Sequence, residues 1–180
     1  MLTLHHVRAV RPGPAGADAV VVDGARIAAV GRYEDLSAAY GGRARVRHWD
    51  GVLTPGRYEP DAVALLESAY WPDPREADEL GTERLTGAAL AALDMTDTRW
   101  GASARRGVQR LLATGTTALA GPFTRPAVRT AVTRSGITVT TTAPPTGDLT
   151  PPAPANFAIQ AEDQTCLATA VNGRLLYRTR

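Results

Sequence analysis

Gly51-Val52-Leu53-Thr54-Pro55-Gly56, followed by Arg57-Tyr58-Glu59-Pro60-Asp61-Ala62-Val63, marks a change of structural period in this chain. Upstream of it, apolar residues come in short runs bounded by turn residues. Leu2, Leu4, Val7 and Val10 suit a first strand. Ala19-Val20-Val21-Val22 then meets Asp23-Gly24, and Arg26-Ile27-Ala28-Ala29-Val30 follows. Asp-Gly between two apolar runs is a hairpin signal, because both residues accept positive φ. Gly31 ends the second strand, Tyr33 to Tyr40 suits a short helical turn, and Arg43 to Trp49 alternates as another strand. Asp50-Gly51 is a second turn. Residues 1–56 therefore read as β structure.

Downstream the pattern changes. Pro60 suits the first turn of a helix, and Val63, Leu65, Leu66, Ala69 and Tyr70 give it an apolar face. Pro72 to Arg84 reads as a charged loop, and Thr82 or Thr86 as the cap of a helix ending near Leu93. The sequence predicts a helix from Ser103 to Ala113, closed by Gly115, then a strand at Thr116–Ala120. Pro126 opens another helix through Arg134, closed by Gly136, before the β-branched run Ile137-Thr138-Val139-Thr140-Thr141. Helix and strand alternating at this spacing predict an α/β segment with two parallel strands. Residues 143–155 hold Pro144, Pro145, Pro151, Pro152 and Pro154 and read as a linker. Strand signals return in Phe157-Ala158-Ile159 and in Cys166 to Val171, where the Asn172-Gly173 turn leads to Arg174-Leu175-Leu176-Tyr177.

Composition narrows the class. At 180 residues and 44% hydrophobic content the chain can bury a core as one domain, or as one domain with an insertion. All 20 basic residues are arginine. With abundant Ala, Gly and Pro, that is the signature of GC-rich coding of an actinobacterial kind. The arginines are not interleaved with aromatics as in nucleic-acid modules, so no nucleic-acid partner is expected. Runs such as Ala88 to Leu93 are far too short to cross a bilayer, and no membrane partner is expected. The first residues lack the basic-then-apolar pattern of a signal peptide, and a lone Cys166 leaves no internal disulfide. These features predict a cytoplasmic protein.

The order of these motifs carries a resemblance. Val22-Asp23-Gly24-Ala25-Arg26-Ile27-Ala28-Ala29-Val30-Gly31 looks like a "DGxIxxVG" hairpin, and Asp50 to Gly56 looks like an "xGxxxxPG" barrel entrance. Leu111 to Ala118 looks like the "xxxxGxTT" helix-to-strand step. Asn156-Phe157-Ala158-Ile159 resembles an "ADFxxx" return strand, and Thr169 to Tyr177 a closing "xVxxGxxVY". In this order the chain resembles the amidohydrolase superfamily, particularly its imidazolonepropionase-like and aminodeoxyfutalosine-deaminase-like members. The resemblance implies an α+β fold: a composite β-sandwich from both chain ends, residues 1–56 and 156–180, around an inserted (β/α)8 barrel. Here the insertion, 57–142, is short. A full barrel takes at least roughly 200 residues, and about 100 lie between Gly56 and Asn156. A short α/β remnant is therefore expected.

The resemblance also implies where metal ligands would sit. The family motif places an acid three residues after the Pro-Gly glycine, then histidines two and four residues further on. Those positions are Glu59, Asp61 and Val63. Valine has no donor atom. The family further uses a lysine or glutamate, two more histidines and a late aspartate. Here the histidines are His5, His6 and His48 only, there is no lysine, and the late aspartates are Asp148 and Asp163. A catalytic zinc needs three protein ligands and an open position. No catalytic residue, bound metal or cofactor is assigned on this basis.

Each remaining candidate has an ordinary reading. His5 and His6 point to opposite faces of a strand, so they do not share an ion. Cys166, in an apolar strand, reads as a small core residue. Glu59 and Asp61 stand where a helix start favours acids. Trp71 and Trp100 read as core, and the acidic loop 73–83 as solvated. No phosphate-loop spacing is present. Strand C-terminal ends in α/β sheets are where ligands bind, which points to Gly121-Pro122-Phe123 and Thr141-Thr142. The candidate ligand pocket is therefore His48, Glu59, Asp61 and Phe123. The expectation is a non-catalytic binding or accessory subunit. The alternatives are a C–N hydrolase with a rearranged or inter-chain site at Glu59, Asp61 and His48, and a small-molecule sensor. An open sheet leaves edges and apolar faces to cover, which predicts a homo-oligomer or a protein partner.

Overall fold

In the computed structural model, residues 1–144, 147 and 149–179 are described. Pro145 and Asp148, singled out above, lie outside them. The chain divides into two compact units. One comprises Met1–Arg57, Leu112–Thr117 and Pro144–Arg180, and the other Tyr58–Leu111 and Ala118–Ala143.

The first unit begins with β1 (Leu2–His6), β2 (Ala9–Val10), β3 (Ala19–Asp23) and β4 (Arg26–Gly31). Then come α1 (Tyr33–Tyr40), β5 (Arg45–His48) and β6 (Val52–Pro55). One sheet has the order β4-β3-β1-β5, antiparallel except that β5 runs parallel to β1. Strand β3 is buried on both faces, which is why its sequence is a continuous apolar run. Val20 and Val22 join one apolar cluster with Val7, Ile27, Leu53, Phe157 and Ile159. Ala19 and Val21, with Leu4, join the second, which includes Leu36 of α1. The outer face of this sheet is thus covered by a helix whose own sequence is only weakly apolar.

The second sheet draws on both chain ends. Strand β6 pairs antiparallel with the late strand spanning Phe157–Gln160, matching Pro55 to Phe157 and Leu53 to Ile159. Beyond it lies the hairpin Cys166–Val171 and Arg174–Arg178. Its turn residues Asn172 and Gly173 have φ of 48° and 73°, the paired positive values that an Asn-Gly turn supplies. Gly173 also sits against the backbone of Gly24, leaving no space for a Cβ. The proline-rich stretch belongs to this unit too. Leu149 is buried in the sandwich core. Ala153 O accepts from Ile27 N, and Ala155 N donates to Ala25 O. Leu149 and Ala155, both buried, anchor its described residues despite its proline content.

The inserted segment holds β7 (Arg57–Glu59), α2 (Ala62–Glu67), a 3-10 turn at Pro74–Glu76, α3 (Ala77–Leu80), α4 (Gly87–Ala91) and α5 (Asp97–Leu112). It continues with β8 (Thr116–Ala120), α6 (Pro126–Ser135) and β9 (Thr138–Thr140). The return strands above are β10, β11 and β12 in chain order. The third sheet, β7-β8-β9, has three strands where the sequence pattern suggested two, because Arg57–Glu59 is too short to show a period. Strands β8 and β9 are parallel, as expected. Helix α5 starts at Asp97, not Ser103: Thr96 Oγ1 accepts the Arg99 N–H at 3.3 Å, capping a turn whose polar residues hid it. Among the described residues the sheets form a mixed α+β fold with no closed barrel.

Candidate functional site

The chain leaves the second sheet at Gly56, and a Cβ there would collide with the side chain of Thr117. Glycine is needed for that close approach. Gly56 N donates to Asn156 O at 3.1 Å, and Arg57 N to Gly115 O at 2.9 Å. The family-equivalent ligand positions follow at once. Strand β7 ends at Glu59, and α2 starts at Ala62, so Asp61 is the N-cap and Val63 is already helical. Residues two apart share a face on a strand but not across a helix start. Even with other side chains, positions 61 and 63 would diverge here. Glu59 Oε1 accepts the Asp61 N–H at 3.0 Å, which ties the first acid into a local turn.

Phe123 is 6% exposed, in the loop that follows β8. That loop is held by a residue the sequence pattern did not single out. Glu67, at the end of α2, is buried, and its Oε2 accepts from Thr124 Oγ1 at 2.8 Å while Oε1 accepts from Arg125 N at 2.6 Å. Its own carbonyl accepts from Arg125 Nε at 3.2 Å. The carboxylate so occupies the start of α6, where unpaired N–H groups favour an anion. The one available signal was an acid adjoining Leu66 on the apolar side of a short helix. Arg125 lies over the Trp100 ring at 4.3 Å, and both line a cavity of about 580 Å³ with Glu67, Leu90 and Met95.

Two acids of the presumed solvated loop are in fact paired. Glu76 accepts from the Tyr70 hydroxyl and from Arg99 Nη2 at 2.8 Å, and Asp73 accepts from Arg106 Nη1 at 3.1 Å. The Tyr70 hydrogen bond, the Asp73 N–H and Arg99 hold the Glu76 carboxyl below the usual carboxylate range. Asp78, Glu79 and Glu83 stay exposed.

His48 belongs to the first unit, whereas Glu59, Asp61 and Phe123 belong to the second. His48 is exposed on β5, with its Nδ1 3.1 Å from His6 Nδ1. His5 points the other way and is buried at 2% exposure. Trp49 Nε1 donates to its Nδ1 at 3.1 Å, so the ring proton sits on Nε2. Burial, and secondarily Arg47, lowers the His5 pKa from 6.5 to about 4. Cys166 is buried, and desolvation pushes its thiol up, away from nucleophilic use. The metal set that the sequence resemblance implied is not matched. Among the described residues no three His, Cys, Asp or Glu side chains converge as a metal site.

Residues 19–42 match the family model of the bacterial imidazolonepropionase-like composite domain. No curated protein sequence matches the chain. Among solved structures, an adenosine deaminase from Xanthomonas campestris with bound zinc is similar at 17% identity and TM-score 0.50. The match covers 76% of this chain and 32% of that one. An ochratoxinase of A. niger gives 20% identity and TM-score 0.49, over 77% and 30% of the two chains. A zinc-complexed atrazine chlorohydrolase from Arthrobacter aurescens gives 18% and 0.47, over 76% and 34%. The neighbours are thus of the amidohydrolase superfamily, and at these identities the likeness concerns fold alone. The chain spans about a third of their length. Among the described residues no helix is long and apolar enough to cross a membrane.

Proposed function

We propose that this chain is a non-catalytic amidohydrolase-like protein that acts as a binding or accessory subunit, with an inserted segment that is a shortened remnant of a barrel. The observation that carries the reading is the course of residues 59–63: Glu59 closes a local turn onto Asp61, and Val63 follows in α2. A metal-activated water needs converging ligands there. A partner is supported by β9, whose outer edge is unpaired among the described residues and whose Val139 is 44% exposed. The partner or a second copy would cover that edge.

The test is turnover of cyclic-amide and aminopurine substrates by the protein supplied with zinc, iron or manganese. No rate above that of the Asp61→Asn variant is expected. A rate that falls in Asp61→Asn, Glu59→Gln or His48→Gln would overturn the reading in favour of a hydrolase with a rearranged site built on the candidate pocket. One observation favours a second reading, a small-molecule sensor. The cavity at Glu67, Trp100 and Arg125 adjoins the loop after β8, the end of the strand where such sheets bind ligands. A ligand screen by thermal shift, repeated on Trp100→Ala, decides it.

A further inference from the structure

We propose that His6 and His48 form a divalent transition-metal site on the exposed end of the β1–β5 strand pair. The parallel register places His6 directly opposite His48, so the two side chains leave the same face of the sheet. Their Nδ1 atoms are 3.1 Å apart. Two imidazole nitrogens bound to one metal at the usual 2.0–2.1 Å would be separated by about 2.9 Å at a right angle and about 3.4 Å at the tetrahedral angle. The observed spacing lies between these values and needs no rearrangement of backbone.

The surroundings orient the ligands. Tyr33 stacks on His6 with ring centroids 3.9 Å apart, and it meets His48 edge-on at 5.8 Å. Asp18 Oδ2 lies 3.9 Å from His6 Nε2. The Asp18 carboxylate is itself anchored, because its Oδ1 accepts the Tyr33 backbone N–H. A carboxylate on that side of the ring favours the proton on Nε2, which leaves the Nδ1 lone pair of His6 directed at His48. At 3.9 Å the contact is electrostatic rather than a hydrogen bond, and a small approach of Asp18 would complete a carboxylate–histidine–metal arrangement. Without metal, the His48 Nδ1–H donates to His6 Nδ1. With metal, the His48 proton moves through solvent to Nε2, and both Nδ1 lone pairs bind the cation. The side chain of His6 is 34% exposed and His48 is exposed, so water fills the remaining positions. Two imidazoles and solvent suit copper(II) above zinc(II) in affinity. Both ligands belong to the first unit, only His48 is shared with the candidate pocket, and the site requires nothing of the proposal above.

The experiment is calorimetric titration of the untagged full chain with copper(II) and with zinc(II), alongside electron paramagnetic resonance of the copper form. The expected result is one saturable site per chain, tighter for copper, with nitrogen hyperfine structure from two ligands. His48→Gln alters an exposed side chain and should abolish the site with the circular dichroism spectrum unchanged. Asp18→Asn keeps an acceptor for Tyr33 N and should weaken binding about tenfold, the usual loss when an orienting carboxylate is removed. Absence of saturable binding, or an isotherm unchanged in His48→Gln, would overturn the proposal. Turnover is not the readout, so failure here leaves the non-catalytic reading standing, and the reverse.

Discussion

In the sandwich unit, Val20, Val22, Leu53, Phe157 and Ile159 are sealed between two sheets. In the inserted unit, every residue from 77 to 98 retains some solvent exposure, although Leu80, Leu85, Leu90 and Leu93 lie within it. The inserted unit does have buried side chains of its own, including Leu66, Tyr70, Val108, Leu119 and Val128. Its short helices α3 and α4, of 4 and 5 residues, bury none. The sandwich is held by strand pairing between distant parts of the chain. The 77–98 segment is tied down at a few points: Tyr70–Leu85 backbone pairing and the Arg110 bond to Thr82 O near its middle, and the Arg99–Glu76 ion pair that flanks it. Local stability follows local burial, so the two regions should respond very differently to the same kinds of change.

The largest effect is expected from Phe157→Ala. Phe157 is fully buried, and its loss should cost about 3–5 kcal/mol in denaturant unfolding. Next comes a pH effect from the same core. The folded-state pKa of His5, about 4, lies below its ordinary 6.5. Between those values the unfolded chain binds more protons than the folded one, so stability falls as pH drops from about 6.5 to about 4. The His5 contribution to this loss should total roughly 3 kcal/mol and level off on either side, with carboxylates such as Glu76 adding their own loss at lower pH. His5→Gln, which keeps an acceptor for Trp49, should flatten that slope in unfolding curves measured across the interval.

Gly56→Ala places a methyl against Thr117 and should cost about 1–3 kcal/mol by overpacking. In the inserted unit, Glu67→Ala leaves the Thr124 hydroxyl and the Arg125 N–H without their acceptor. A loss of about 1–3 kcal/mol is expected, with hydrogen exchange accelerated first at 121–126. The smallest effect should come from Ala89→Ser, at an exposed position of α4. Its unfolding midpoint should correspond to a change within about 0.5 kcal/mol. Limited proteolysis sharpens the contrast: trypsin should cut first at Arg84, inside the unburied segment, before any site in the sandwich. Early cleavage within 157–178 would break the comparison.

The sandwich was largely legible because its signals are local. Asp23-Gly24 and Asn172-Gly173 announce hairpins through turn chemistry, and strand residues repeat with a period of two. That β3 is buried on both faces came from the structure; the sequence showed 19–22 only as the first arm of a hairpin. Less of the inserted unit was legible. Strand β7 is 3 residues long, below the length at which any period shows, and α5 opens with polar residues. The proline-rich stretch concealed Leu149, whose burial depends on strands more than a hundred positions away. Of the candidate site, the sequence supplied only the identity of the acids at 59 and 61. Their incorporation into a local turn, and the clamp formed by Glu67, depend on where α2 starts and on which loop it meets.

Sequence alone determined the turn positions, the strand order of the hairpins, and the types of side chain available at 59, 61 and 63. These depend on backbone preference and covalent identity, which neighbours far along the chain do not change. The tertiary structure decided that His5 is buried and neutral while His6 faces His48 across a parallel strand pair. It also decided that Glu67 is paired rather than exposed. Burial and partner choice arise only when segments distant in sequence are brought within van der Waals contact, and alternation along β1 places two adjacent histidines in opposite environments.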